Sequence, residues 1–355
     1  MKCSIRRLFS SAALAVLTVL LVLVAKLCNS AFFAVYPKVS RALIGVLAEI
    51  TSVVPFAVWE LVAAGLILWF FVSLFLAVFR GRIVKWLTGV LLAAMIAAFW
   101  FVSVWGLNYF APKMNERLGL SDTQYDVKQL REVTEYFRDR ANETAETVER
   151  DENGVMLAGD FDELAVRAGD GYRTLAEDME CFDGSTARVK RLLTSKLLGK
   201  TGTSGIFLAF TGESGICSTT FSASVPYTMC HEIGHRMAFA REDEANFAAF
   251  LACMENGRDD FVYSGYYSAY IYCINALNRA DPNAAAEVSR GVGKLLRADL
   301  SAATAHYRTV EDETAVKIQT KVYENYLKTF EVKSGVQSYG EVVDLLALWY
   351  FERIR

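Results

Sequence analysis

The segment "CHEIGH", residues 230–235, holds two of the three histidines in a chain of 355 residues. His231 and His235 stand four apart, so on a helix their imidazoles share one face. Side by side they can fill two corners of a tetrahedral zinc site. Glu232 then falls beside the metal's open position, where a carboxylate can take a proton from water that the metal has acidified. This is the HExxH arrangement of a metal-dependent peptidase. Gly234 inside the motif costs a helix about 1 kcal/mol relative to alanine. Its presence predicts that another segment crosses close by. Without a metal, the same letters describe two histidines and a solvated Glu on an ordinary helix. With so few histidines in the chain, chance spacing is the weaker explanation.

A third ligand must come from elsewhere, and "REDEANF" (241–247) offers Glu242, Asp243 and Glu244. On a helix beginning near Arg241, Glu242 and Asn246 share a face at i, i+4. Glu242 would ligate, and Asn246 would steady a neighbouring ligand by hydrogen bonding. Glu244 points about 200° away on the same helix, so the two cannot both face the metal. Glu242 is the favoured ligand, while Asp243 and Glu244 suit a solvated acidic helix start. Zinc hydrolases usually add a Tyr or His that stabilises the developing oxyanion. Tyr263, Tyr266, Tyr339 and His306 are candidates, although each also fits a packed helix residue. Cys230 lies about 100° round the helix from His231, which directs it to the core with Ile233 and Met237.

The elements that position this motif begin with lipid. The chain is 53% hydrophobic, and the excess is concentrated in the first 110 residues. Apolar stretches over about 8–27, 56–79 and 83–105 are each long enough to span a bilayer. The first is expected to be an uncleaved helix, because its core is long and no A-x-A cleavage site follows. Basic residues set the orientation. Lys2, Arg6 and Arg7 precede the first span, and Arg80, Arg82 and Lys85 lie between the second and third. The intervening first loop has only Lys38 and Arg41. The positive-inside rule then places everything after residue 110 outside the cytoplasm. Within the first loop, Val39, Leu43, Val46, Leu47 and Ile50 have near-helical spacing between Pro37 and Pro55. They fit an amphipathic helix lying on the membrane or against the catalytic part, or a plain packed loop.

The remainder, 111–355, is predicted to be one mainly helical domain. An amphipathic helix is expected from Ser121, with Val127, Leu130, Val133 and Phe137 on its apolar face. Helical patterns follow at 161–180 and 186–198. Residues 204–222 contain a β-prone run, a "TGESG" turn and a second short run, and predict a small hairpin. Its first strand could hold an extended peptide by edge addition. Glu213 in the turn is either structural or cleft-lining. Helices continue from Pro226 to the end, with breaks near 256–260, 280–283 and 334–338. Seven cysteines without a CxxC pair exclude a zinc ribbon or a thioredoxin-like site and read mostly as buried thiols. A net charge of −3 gives no reason to expect nucleic acid as a partner.

"HExxH" followed closely by "ExxAN" resembles the gluzincin-type metallopeptidases. More closely, the chain resembles the bacterial membrane family called domain of unknown function 3810. The likeness covers nearly its whole length. It includes three N-terminal spans, "WGLNYF" (105–110), "FTGESG" (210–215), "PYTMCHEIGH" (226–235), "EDEANFAAFLAC" (242–253), "YSGYYSAYIY" (263–272) and "SYGEVVDLL" (338–346). The resemblance implies zinc ligands at His231, His235 and Glu242 and a catalytic role for Glu232. It implies no substrate.

Together these features lead to an expected multi-pass protein of the bacterial cell membrane. It would carry a zincin-like domain that hydrolyses a peptide or protein substrate, one associated with the envelope among the candidates. A different class of reading is a non-enzymatic sensor or scaffold with a structural metal, whose site a fourth protein ligand would close. Intramembrane proteolysis is disfavoured, because the motif lies far beyond the last span in polar sequence.

Overall fold

A computed structural model describes residues 2–120, 125–330 and 338–355, and 74% of the described residues are helical. Three long apolar helices, Lys2–Leu27, Val58–Phe79 and Ile83–Val104, correspond to the expected spans. Most of their side chains face outward and are apolar, as lipid requires; helical pairing already satisfies their backbone groups. By length and composition a fourth segment, Asn29–Ser52, is also apolar enough to cross a membrane, where the sequence predicts a loop.

That segment is two helices, Asn29–Phe33 and Tyr36–Ser52, and the longer is docked on the polar part of the protein. Ser40 Oγ donates to the Val104 carbonyl at 2.7 Å, Arg41 Nε to the Asp183 carbonyl at 2.8 Å, and Thr51 Oγ1 to the Thr211 carbonyl at 3.2 Å. Its inner face is built from Ser40, Arg41, Ile44, Gly45 and Ala48. Val39, Leu43, Val46 and Ile50 point outward. The amphipathic helix is therefore present with its apolar side away from the domain.

The helix Glu242–Asn256 is the hub of the remaining fold. Ala245, Phe247, Ala248, Ala249, Phe250 and Cys253 make it apolar nearly all round, so it is stable only when enclosed. Helices Val225–Arg236, Asp170–Asp178, Asp259–Ala280 and Ser338–Arg353 enclose it. Contact is tightest at Gly171, where a Cβ would lie 1.8 Å from the Ala252 carbonyl oxygen. Outside this layer, Val127–Thr144 buries Leu130, Val133 and Phe137 against Asp259–Ala280. Asp126 and Gln129 form its capping box. The expected start at Ser121 falls in residues 121–124, outside those described. Residues 161–180 divide into Phe161–Arg167 and Asp170–Asp178.

The hairpin is present as β2 (Gly205–Leu208) antiparallel to β3 (Glu213–Ile216). A two-residue strand, β1 (Lys190–Arg191), adds parallel to β3 and leaves β2 at the edge. The helix predicted over 186–198 is thus corrected to a strand followed by a short helix, Ser195–Lys200. The reason is a buried charge. Lys190 Nζ sits 2.6 Å from Glu213 Oε1, and both residues are buried. The Glu213 carboxylate also accepts from the backbone N–H groups of Val58 at 2.8 Å and Trp59 at 2.9 Å, at the start of the second membrane helix. Glu213 is therefore structural and does not line the cleft.

Removing this carboxylate leaves a buried ammonium without its counter-charge and two amides without acceptors. Glu213→Ala is expected to cost about 3–5 kcal/mol. The check is a clear fall in the thermal unfolding midpoint of the full chain in detergent.

Candidate metal centre

His231, Glu232 and His235 lie on the helix Val225–Arg236, which Pro226 opens at a position where no amide hydrogen is needed. The helix stops at Met237, and Ala238 takes a left-handed φ of 68°. Phe239 N then donates back to the Gly234 carbonyl at 3.2 Å. This reversal is tight enough that the next helix begins at Glu242 and packs directly on the one just left. At the crossing, a Cβ on Gly234 would lie 3.0 Å from the Tyr172 hydroxyl and 3.3 Å from the Ala245 carbonyl oxygen. The close approach that the glycine predicts is present.

The crossing brings Glu242 against both histidines. His231 Nε2 is 3.3 Å from Glu242 Oε2, and His235 Nε2 is 3.6 Å from Glu242 Oε1. One ligand atom from each of the three residues lies within 4.8 Å of the others. Ligands about 2.1 Å from a tetrahedral metal stand about 3.4 Å apart, so the donor set fits a zinc-sized cation. Supporting bonds orient it. His235 Nδ1 is 2.8 Å from the Phe239 carbonyl; a proton there leaves Nε2 with its lone pair turned to Glu242. Trp105 Nε1 donates to the His235 carbonyl at 3.0 Å, and Ser214 Oγ to the Glu232 carbonyl at 2.7 Å. The Tyr323 hydroxyl donates to Glu242 Oε1.

Burial and mutual charge perturb every member. Burial raises Glu242, but His235 and His231 outweigh it and hold the carboxyl down at about 2. Burial lowers His231, but Glu242 outweighs it and raises the imidazole overall, with Asn246 adding to the rise. Burial pulls His235 down to about 4. Burial also pushes Glu232 up to about 8, with Glu242 adding repulsion.

The other acids of "EDE" do different work. Glu244 accepts from Met114 N at 2.9 Å and pairs with Arg117, tying the hub helix to the segment that leaves the membrane. Asp243 is buried next to Arg241. Asn246 receives the hydroxyls of Tyr227 and Tyr272. Cys230, Ile233 and Met237 are fully buried in the core, and all seven cysteines are free thiols.

A cavity of about 1060 Å³ opens on the three ligands. Its walls include Glu232, the edge strand β2, Tyr227, Tyr267, Tyr272, and Tyr323 and Tyr326 from the helix Glu313–Thr329. β2 runs so close that a Cβ on Gly205 would lie 2.5 Å from Glu232 Oε1. Three of the four expected oxyanion candidates lie elsewhere. Tyr263 pairs with Asp299 in the core, Tyr266 packs on Phe137 and Phe250, and His306 Nε2 contacts the Thr219 carbonyl at 2.7 Å. Tyr339 is outside the residues whose side chains are described. Tyr323, which reaches the ligand set, was missed; its i, i+3 spacing from Tyr326 gives no hint that this helix returns to the site.

No curated protein and no solved structure significantly matches the chain. The sequence profile described as "Protein of unknown function (DUF3810)" matches residues 34–347, spanning the surface helix, the last two membrane helices, the sheet and the metal-ligand set. The chain belongs to that family.

Proposed function

We propose that the protein is a membrane-anchored zinc metallopeptidase that hydrolyses peptide bonds. One observation carries the reading: three convergent ligand atoms lie on the floor of a large cavity that Glu232 also lines. A purely structural metal is closed by a fourth protein ligand; among the described residues the cluster offers three.

His231, His235 and Glu242 would hold the metal. Zinc held there supplies Lewis acidity, which polarises a carbonyl and acidifies water. Glu232 takes the proton from the attacking water and later delivers it to the leaving amine. Tyr323, already donating to Glu242, holds that carboxylate in place. β2 pairs with β3 on one side only, so its other edge can hold an extended peptide across the cavity. Gly205 lets that strand pass against Glu232.

Orientation follows from charge and packing together. Arg7 Nη1 donates to the Lys85 carbonyl at 2.7 Å, so the amino end and second loop share one side. They carry Lys2, Arg6, Arg7, Arg80, Arg82 and Lys85, which assigns that side to the cytoplasm. The domain docks at the opposite ends of the second and third membrane helices. It is therefore extracytoplasmic, and the protein a multi-pass component of a bacterial cell membrane.

Metal analysis of the purified full chain should find zinc near one equivalent, and His231→Ala or Glu242→Ala should lower it about tenfold or more. Glu232→Gln should retain the metal and lose about 10²–10⁴ in hydrolysis of a peptide library. A wild-type chain that binds no metal sinks the reading. Gly205→Ala should also keep zinc while cutting turnover, because the new methyl displaces the Glu232 carboxylate. For topology, a reporter fused after Arg355 should be active only outside the cytoplasm.

A further inference from the structure

The cavity's position relative to the membrane helices points to its substrate. The third membrane helix has 22 residues, a rise of about 33 Å, and the hydrocarbon core is about 30 Å thick. Its full length is thus needed to cross, and its last turn lies at the bilayer surface. Phe101, in that last turn, is itself a wall of the metal cavity, as is Trp105 immediately after it. Trp105 also bonds the carbonyl of a metal-ligating histidine.

Both elements flanking the cavity mouth end on this surface. β2 leads to Phe210, which stacks on Phe101 with ring centroids 6.1 Å apart. The helix Glu313–Thr329 ends at Phe330, 6.0 Å from Phe101. At its other end, Asp312 N donates to the Lys200 carbonyl at 2.9 Å. Lys200 closes the short helix that starts beside Thr194, whose amide is held at 2.8 Å by Glu60 in the first turn of the second membrane helix. The helix Glu313–Thr329 is therefore tied at one end to Phe101 in the third membrane helix and at the other, through the helix Ser195–Lys200, to Glu60 in the second. Its outward residues Ile318 and Val322 are 61% and 63% exposed. They form the rim of a second, adjoining cavity of about 510 Å³ with Ala315, Tyr323 and Tyr326. Leu193, Leu197 and Phe210 are exposed as well, and so are Val39, Leu43, Val46 and Ile50 on the outward face of Tyr36–Ser52. An amphipathic helix with such a face rests in the headgroup region.

We propose that Ile318 and Val322 dip into the bilayer surface, so that the cavity mouth opens at the lipid–water boundary. The substrates are then polypeptide segments held at the membrane, juxtamembrane or lipid-anchored, in preference to freely soluble peptides. The substrate class rests on the peptidase reading; the placement of the helix does not.

The experiment uses the zinc-loaded full chain in phosphatidylethanolamine–phosphatidylglycerol vesicles. Cys3, Cys28 and Cys181 are changed to Ser, the other four thiols being buried. An environment-sensitive fluorophore is placed at Ile318→Cys, or at Ala286→Cys on an exposed helix as control. Nitroxide-labelled lipid should quench the first and spare the second. A randomised peptide library should be cleaved about tenfold faster when palmitoylated than when free. Ile318→Asp with Val322→Asp should abolish that preference while retaining zinc. A label at 318 that only an aqueous quencher reaches overturns the placement. Equal cleavage of free and anchored libraries overturns the substrate class and leaves the peptidase reading intact. Cleavage of neither overturns both.

Discussion

Everything at the metal centre depends on how closely two helices cross at Gly234. The hub helix can deliver Glu242 to the histidine pair only if its backbone lies almost on that of Val225–Arg236. A methyl at the crossing would meet the Ala245 carbonyl and the Tyr172 hydroxyl. The same contact fixes the chain reversal before it. Three residues, Met237, Ala238 and Phe239, turn the chain through a left-handed position that costs a non-glycine residue about 1–2 kcal/mol. The reversal in turn puts the Phe239 carbonyl where it can orient His235. One close approach thus sets the ligand spacing and the ring orientation together.

The second constraint is the attachment of the domain to the membrane region. Two carboxylates join the start of the second membrane helix to the domain: Glu60, in the first turn of that helix, holds the amides of Leu193 and Thr194, and Glu213, in β3, holds those of Val58 and Trp59. At the third helix the link is Trp105 to the His235 carbonyl. Burying Glu213 is tolerable only because Lys190 and two amides surround it, since an unpaired buried carboxylate would cost several kcal/mol. These bonds leave little freedom for a hinge between anchor and site. The domain is held against the membrane helices and does not float on a tether.

What was legible in the sequence was local. The histidine pair, Glu232 and Glu242 sit within twelve residues, and helical spacing alone assigns their faces. The three spans are equally local, because twenty apolar residues have few alternatives. Other parts depend on partners distant in the chain. β1 is two residues long and exists because Lys190 meets Glu213, so no periodicity announces it. The surface helix has the predicted spacing, yet its apolar side turns outward, because Arg41 and Thr51 find carbonyl acceptors on the domain and Ser40 finds one at the end of the third membrane helix. Tyr323 lies 81 residues beyond Glu242, and only the return of its helix over the cavity brings the two together.

The division of labour among the three consecutive acids shows how little of this is interchangeable. Glu242, Asp243 and Glu244 are all buried, which is costly unless each meets positive charge. Glu244 meets Arg117 and the amide of Met114, so it secures the segment leaving the membrane. Glu242 meets two neutral-capable imidazoles and a phenol, none of them a permanent cation. Glu213 and Glu244 are each paired with a Lys or an Arg, whereas the side chains that meet the buried Glu242 are two histidines and a tyrosine.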